Sequence, residues 1–298
     1  MPATQEFHYR LLRRVRGHRP GSHRGLTFGA GQEFVSHMSL YDRPDPRRLD
    51  LRASLRSLTG QWLVRVNRQR AGLSVHAVVD VSASMTFGAA PKLNAVADFL
   101  ESLGVSAFRT GDALGMLAFD AAEREDLFVP ARIGRGVGSV MAASIRQVQG
   151  AVAAAVARDV GANDRGASGS RGLEQVALRL AGREGLVFIV SDFHWPLERL
   201  GVALDRLSHA HVVPLVFWDR AEIEPPSQNG FALLRDVETG VPRTLWLRPK
   251  LRNRWHEAVA ERRAALDGLF ASRFIRPVYF ESGFDAEVLS RHFFAEGV

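Results

Sequence analysis

The chain contains no cysteine, and only Lys92 and Lys250 are lysines among its 39 basic residues. The first absence excludes a disulfide framework, a thiolate metal site and a cysteine nucleophile. The second means that the net charge of +7 rests almost wholly on arginine. Also missing is any apolar run approaching the roughly 18 residues that cross a bilayer. The N-terminus lacks the basic, apolar and small-residue succession of a signal peptide. These absences predict a cytoplasmic chain with no transmembrane segment. What is present is a core-forming composition, 46% hydrophobic over 298 residues, enough for one large domain or two modest ones.

An arginine excess permits contact with nucleic acid or an anionic membrane surface. Arg10, Arg13, Arg14, Arg16 and Arg19 form a basic run near the N-terminus. Elsewhere the arginines are dispersed, no nucleic-acid motif accompanies them, and an Ala-, Gly- and Arg-rich composition suffices to explain the charge.

Residues 1–72 read as an irregular N-terminal extension packed on the domain that follows. His18–Gly25 has the composition of turns and loop, and Pro44 and Pro46 exclude a helix interior around them. Gln61–Asn67 reads as a strand with Trp62, Val64 and Val66 on one face. Phe34, Tyr41 and Trp62 are too many aromatics for a linker.

Residues 73–298 change character. Short apolar runs at 75–79, 112–119, 186–190 and 211–218 read as strands, the first of them rich in valine as in a strand covered on both faces. Between them lie helical patterns opened by Pro91, spanning 137–156, and covering 173–181 and 196–207. Residues 127–129 read as a returning edge strand, and 231–234 and 244–247 as a smaller pair. A helix at 251–270, a strand at 277–280 and a terminal helix at 286–294 complete the chain. Gly161–Ser170 reads as flexible loop. The alternation predicts an α/β fold, a mostly parallel central sheet with helices on both faces.

Two of the apolar strands end in acids. Val75–Val79 runs into Asp80, followed by hydroxyls at Ser82 and Ser84, and Leu186–Val190 runs into Ser191 and Asp192. Alone, Asp80 could cap the next helix while the serines make a turn. In a parallel sheet, however, ligands bind beyond the carboxyl ends of the strands near a switch in strand order. If the two strands are neighbours, Asp80, Ser82, Ser84 and Asp192 meet at one edge. Two carboxylates and several hydroxyls suit a hard cation such as Mg2+, or alternatively Mn2+ or Ca2+.

Other candidates are weaker. Gly134–Gly138 lacks the strand and spacing of a phosphate-binding loop. Gly166–Ser170 is not a Gly-x-Ser-x-Gly elbow, because Ser170 replaces the last glycine. Asp80-Val81-Ser82 lacks the second aspartate of an aspartyl-phosphate hydrolase. His194 reads as a loop residue, His76 as a packed strand residue, and His18 with His23 as no metal pair.

Asp80-x-Ser82-x-Ser84 after an apolar strand resembles the DxSxS motif of von Willebrand factor A domains. That resemblance implies a metal-ion-dependent adhesion site completed by a threonine in a second loop and an aspartate in a third. Asp192 takes the third-loop position. No threonine lies in the second-loop region before the helix at Leu173, so Ser168 or Ser170 must substitute. Gly21–Arg24, Gly31–Phe34, Tyr41, Asp45–Asp50 and Arg52–Ser54 further resemble the domain-of-unknown-function 58 family, with Leu51 where that family usually has tryptophan. Members of that family accompany MoxR-type AAA+ ATPases. The resemblance implies a non-enzymatic module whose bound cation accepts a carboxylate from a partner, either the ATPase or its client. A nucleic-acid or membrane-surface binder and a metal-dependent hydrolase are the alternatives.

Overall fold

The apolar runs become the middle of one sheet. The structure is a computed structural model that describes residues 5–11, 20–29, 31, 33–86, 91–157, 169–225, 230–235, 242–281 and 283–295. In chain order the strands are β1 (Pro20–Gly29), β2 (Glu33–Ser39), β3 (Leu63–Ala71), β4 (Ser74–Asp80), β5 (Ala113–Phe119) and β6 (Val129–Arg132). β7 (Leu186–Ser191), β8 (His211–Phe217), β9 (Gly230–Arg235), β10 (Pro242–Leu247) and β11 (Val278–Phe280) follow. The helices are α1 (Leu51–Leu55), α2 (Lys92–Thr110), α3 (Val137–Ala157) and α4 (Gly169–Leu180). After them come α5 (Leu200–Arg206), α6 (Arg220–Ile223), α7 (Pro249–Ala271) and α8 (Ala286–Ala295).

Six strands form the central sheet in the order β11-β8-β7-β4-β5-β6, parallel throughout except for β6. β4 lies between β5 and β7, pairing Asp80 with Phe119 on one side and Val79 with Val190 on the other. The chain builds rightward from β4 to β5 and later leftward from β7 to β8, so the switch in strand order falls between β4 and β7. Their carboxyl ends therefore splay a crevice at that point.

Both faces of the sheet are covered, which is why its inner strands are continuous apolar runs and not alternating ones. On one face Val75, Ala77 and Val79 pack with Leu93, Leu100, Met141, Ile145, Leu289 and Phe293 from α2, α3 and α8. On the other, Val78, Val187 and Ile189 pack with Leu173, Val176, Leu200, Leu204, Leu266 and Phe270 from α4, α5 and α7. The expected α/β architecture is observed. α2 and α3 approach closely because Gly104 faces Gly138, where a Cβ on Gly104 would sit 2.6 Å from the Gly138 Cα. That contact is the role of Gly138, within the glycine-rich stretch considered above.

The N-terminal part departs from the sequence reading. Residues 18–25 were expected as turns and loop, but Pro20–Gly29 is a strand of a three-stranded antiparallel sheet ordered β1-β3-β2. The physical reason is close backbone approach. A Cβ on Gly21 would lie 2.4 Å from Gly72, and one on Gly25 2.4 Å from the Gln69 carbonyl oxygen. Register shifts in β1 and β2 also break the alternation by which strands are read. Val64 and Val66 are buried as expected, whereas Trp62 precedes β3 and is half exposed. Phe34 and Tyr41 are exposed too. The residues that join the main core are instead Phe7, Tyr9 and Leu11. Phe7 stacks on Phe99 at 6.1 Å and meets Phe188 edge-on at 6.2 Å.

A second correction concerns the stretch read as flexible loop. Residues 158–168 lie outside the described residues, but Gly169 and Ser170 open α4. Gly169 packs so tightly on the Trp195 ring that a Cβ would come within 2.5 Å of it. Gly172 is held as closely to the Asp120 carbonyl. Glycines that resemble loop punctuation here let a helix press against the sheet edge.

Candidate metal centre

The carboxyl ends of β4 and β7 bring four of the predicted residues together. Asp80, the last residue of β4, is fully buried. Its Oδ1 accepts the Ser82 backbone N–H at 2.9 Å, which turns the chain sharply at the strand end. Its Oδ2 accepts from Ser191 Oγ at 2.6 Å and from the Trp195 indole Nε1 at 2.9 Å. Ser82 and Ser84 hydroxyls lie 3.1 Å apart, within hydrogen-bonding distance, and the Ser84 side chain also hydrogen-bonds Asp192. Asp80, Ser82, Ser84 and Asp192 are therefore brought together. Ser170 is buried in the first turn of α4, beside the Gly169–Trp195 contact. Ser168 lies outside the described residues.

Four groups absent from the predicted set complete the site. Lys92 Nζ donates to Asp192 Oδ2 at 2.6 Å and to Glu222 Oε1 at 2.7 Å. Its side chain is 3% exposed. Glu222 is held by a capping box at α6, where its Oε2 accepts the Asp219 backbone N–H at 2.8 Å. His194 Nε2 lies 3.5 Å from Glu222 Oε1, and its ring stacks on Trp218 at 6.0 Å. Trp218 in turn donates its indole N–H to the Asp192 carbonyl at 2.8 Å. Asp192, His194 and Glu222 thus form a group that could hold a metal ion.

The loop after β7 is fixed in an unfavourable conformation. Phe193 has φ +51, a left-handed geometry that costs a bulky residue on the order of 1–3 kcal/mol. Its compensation is visible. The Phe193 N–H donates to Ser191 Oγ at 2.8 Å, and Arg262 of α7 donates to the carbonyls of Phe193 and Trp195. The buried Phe193 ring packs against Trp195 and Phe270. This loop sets where Asp192 and His194 point.

Electrostatics follow from three carboxylates, Asp80, Asp192 and Glu222, set among Lys92, His194 and Arg262. Burial, then the nearby Asp192, push Asp80 up to about 6. Burial also works to raise Asp192, but the Lys92 ammonium holds it below the ordinary carboxylate value. Glu222 is likewise lowered against its burial, by His194 and Lys92. The two carboxylates hold Lys92 above its ordinary value despite desolvation. The same two carboxylates, Asp192 first, hold His194 above its ordinary value against its burial.

Beside the site opens a cavity of about 390 Å³, lined by His194, Trp218, Glu222 and, from α7, Arg254, Trp255 and Arg262. Its wall is mostly apolar, and it shares His194 and Glu222 with the metal-capable group.

The pattern of the family described as protein of unknown function DUF58 matches residues 42–265. The chain belongs to that family. It is also similar to uncharacterized proteins of Mycobacterium tuberculosis and Mycobacterium bovis, 30% identical over 256 residues. That match covers 82% of this chain and 73% of each relative. Among solved structures, the DUF58 chain is similar to BatB from Bacteroides thetaiotaomicron, with TM-score 0.44, 12% identity and coverage of 76% of this chain and 99% of that one. A second similar structure is an aerotolerance-related membrane protein from Bacteroides fragilis, with TM-score 0.40, 13% identity, and coverage of 76% and 98%. In the DUF58 chain, among the described residues, no helix is long and apolar enough to cross a membrane.

Proposed function

We propose that this DUF58 protein is a divalent-cation-dependent protein-binding module of von Willebrand factor A type. The observation that carries the reading is the convergence of Asp80, Ser82, Ser84 and Asp192 at the carboxyl ends of two adjacent parallel strands. The donor set fits a hard cation: two carboxylates and two hydroxyls. Mg2+ is the proposed ion, with Ser170 or Ser168 completing the ligands. When bound, the cation supplies an open coordination position for a partner's carboxylate.

The chain's own residues do the rest. Ser191, Trp195 and the Ser82 N–H orient Asp80, while Arg262 and Ser191 fix the loop that presents Asp192. The adjoining cavity offers the partner a place for an apolar side chain next to its acid. Binding, not catalysis, is favoured because the serine hydroxyls engage each other and the carboxylates of the same donor set, with no histidine among these contacts to activate them. The proposed partner is a MoxR-type AAA+ ATPase or its client, and the proposed location is the cytoplasm.

Capture of the MoxR-type ATPase from the same cells by purified protein tests this reading. Wild type is expected to retain it with Mg2+ and release it with EDTA, and Asp80→Ala to fail in both conditions. Retention that ignores both EDTA and the substitution contradicts the proposal.

A second reading has one observation in its favour. The three-stranded sheet exposes Phe28 and Phe34, with Arg68 and Arg65 over their rings at 5.7 and 5.9 Å. Such a surface suits an anionic polymer or membrane. Binding to single-stranded DNA or anionic vesicles that weakens steeply with salt, and is indifferent to EDTA, would support it.

A further inference from the structure

The proposed cation site already contains a cation of the protein's own. Lys92 Nζ sits 2.6 Å from Asp192 and 2.7 Å from Glu222, with its side chain almost wholly buried. Three features mark this as a built arrangement. Lysine is rare in the chain, yet this buried position has one. A compact ammonium on a flexible stem fits between two converging carboxylates, where the broad planar fork of arginine demands more room. Lys92 is also the first residue of α2, and a helix N-terminus disfavours positive charge. Its placement there is explained by the carboxylates it bridges and not by the helix. Glu222, for its part, is fixed by the α6 capping box and so cannot follow Lys92 if the ammonium moves.

Resting on the cation-site reading above, we propose that Lys92 is the resident cation of the crevice, a tethered ammonium that a divalent ion must displace from Asp192 in order to bind. One carboxylate cannot hold both charges without strong repulsion between them. In the cation-free state Lys92 keeps Asp192 and Glu222 paired, so the site needs no metal to stay folded. When a divalent ion takes Asp192, the lysine stem lets the ammonium retreat toward Glu222 and the adjoining cavity. Lys92 therefore lowers divalent affinity and couples cation binding to exposure of an amine beside the partner pocket.

The scarcity of lysine makes this directly measurable. Amine acetylation of the wild-type full chain, read by mass spectrometry, reports Lys92 against the exposed Lys250 as an internal reference. Without divalent ions Lys92 should react at least about tenfold more slowly than Lys250 because of its burial and ion pairs. Saturating Mg2+ should raise Lys92 labelling and leave Lys250 unchanged. In parallel, Lys92→Gln and Lys92→Met should bind Mg2+ or Mn2+ at least about tenfold more tightly than wild type, since a competing charge is gone. Unchanged Lys92 labelling at a cation concentration that saturates the wild-type site overturns the proposal while the cation-site reading stands. Variant affinity equal to or weaker than wild type does the same. Failure of every form to bind either ion sinks the cation-site reading itself, and this proposal with it. Because the labelling uses wild type, the test survives a variant that does not fold.

Discussion

Ser191 Oγ donates a hydrogen bond of 2.6 Å to Asp80 Oδ2, joining the ends of two strands 111 residues apart in the chain. The same hydroxyl accepts the Phe193 N–H, so it ties the Asp80 carboxylate to the strained loop that follows β7. Ser191→Ala removes both bonds and leaves two buried polar groups short of a partner. Stability should fall by about 1–3 kcal/mol in equilibrium urea unfolding. A change within about 0.5 kcal/mol would show that the hydroxyl holds nothing that matters to the fold.

Among the contacts that tie the N-terminal segment to the domain is a buried acid, Asp112. Asp112 accepts from Leu73 N–H at 2.7 Å, Thr110 Oγ1 at 2.6 Å and the Tyr9 hydroxyl at 2.5 Å, with His23 Nε2 at 3.0 Å. Asp112→Ala takes the shared acceptor from Leu73 N–H and His23, leaves Tyr9 and Thr110 bonded only to each other and to α2 carbonyls, and should cost about 3–5 kcal/mol, as expected when a buried charged network loses its centre. Tyr9→Phe removes only the hydroxyl's bonds to Asp112 and Thr110, leaves the carboxylate its other partners, and should cost about 1–2 kcal/mol. Equal costs for the two variants would contradict the central place given to Asp112.

His76 gives the fold an acid limb. It is buried within β4, and desolvation, then the neighbouring Arg183, hold it down at about 4, against 6.5 when free. A histidine held low binds fewer protons folded than unfolded. Its contribution is intact above pH 6.5 and is lost as pH falls toward 4, by about 3 kcal/mol in full. His76→Val should flatten that limb: the wild-type-minus-variant stability difference should shrink between pH 7 and pH 4. A difference that stays constant with pH would contradict burial of the neutral imidazole.

The convergence of Asp80 and Asp192 was legible because each ends a β-branched run buried on both faces, and such runs sit together in the middle of a parallel sheet. Lys92 was not legible. It follows Pro91, which reads only as a helix start, and its partners lie 100 and 130 residues away. Two signals were nonetheless present. Lysine is nearly absent elsewhere, and Asp219–Glu222 has the spacing of a capping box. His194 reads as an ordinary loop residue until Phe193 turns it toward Glu222. β1 was hidden for another reason: its glycines serve close backbone contact, yet by composition they announce turns.

The account turns on a cation held at the β4–β7 edge by Asp80 and Asp192. Paramagnetic resonance of Mn2+ measures this directly, because free Mn2+ gives a sharp signal that is lost on binding. We expect wild type to remove one Mn2+ per chain from the free signal, with Mg2+ competing, and both Asp80→Ala and Asp192→Asn to remove none at the same concentrations. Wild type and variants that leave the free Mn2+ signal equally unchanged, or deplete it equally, would contradict the account.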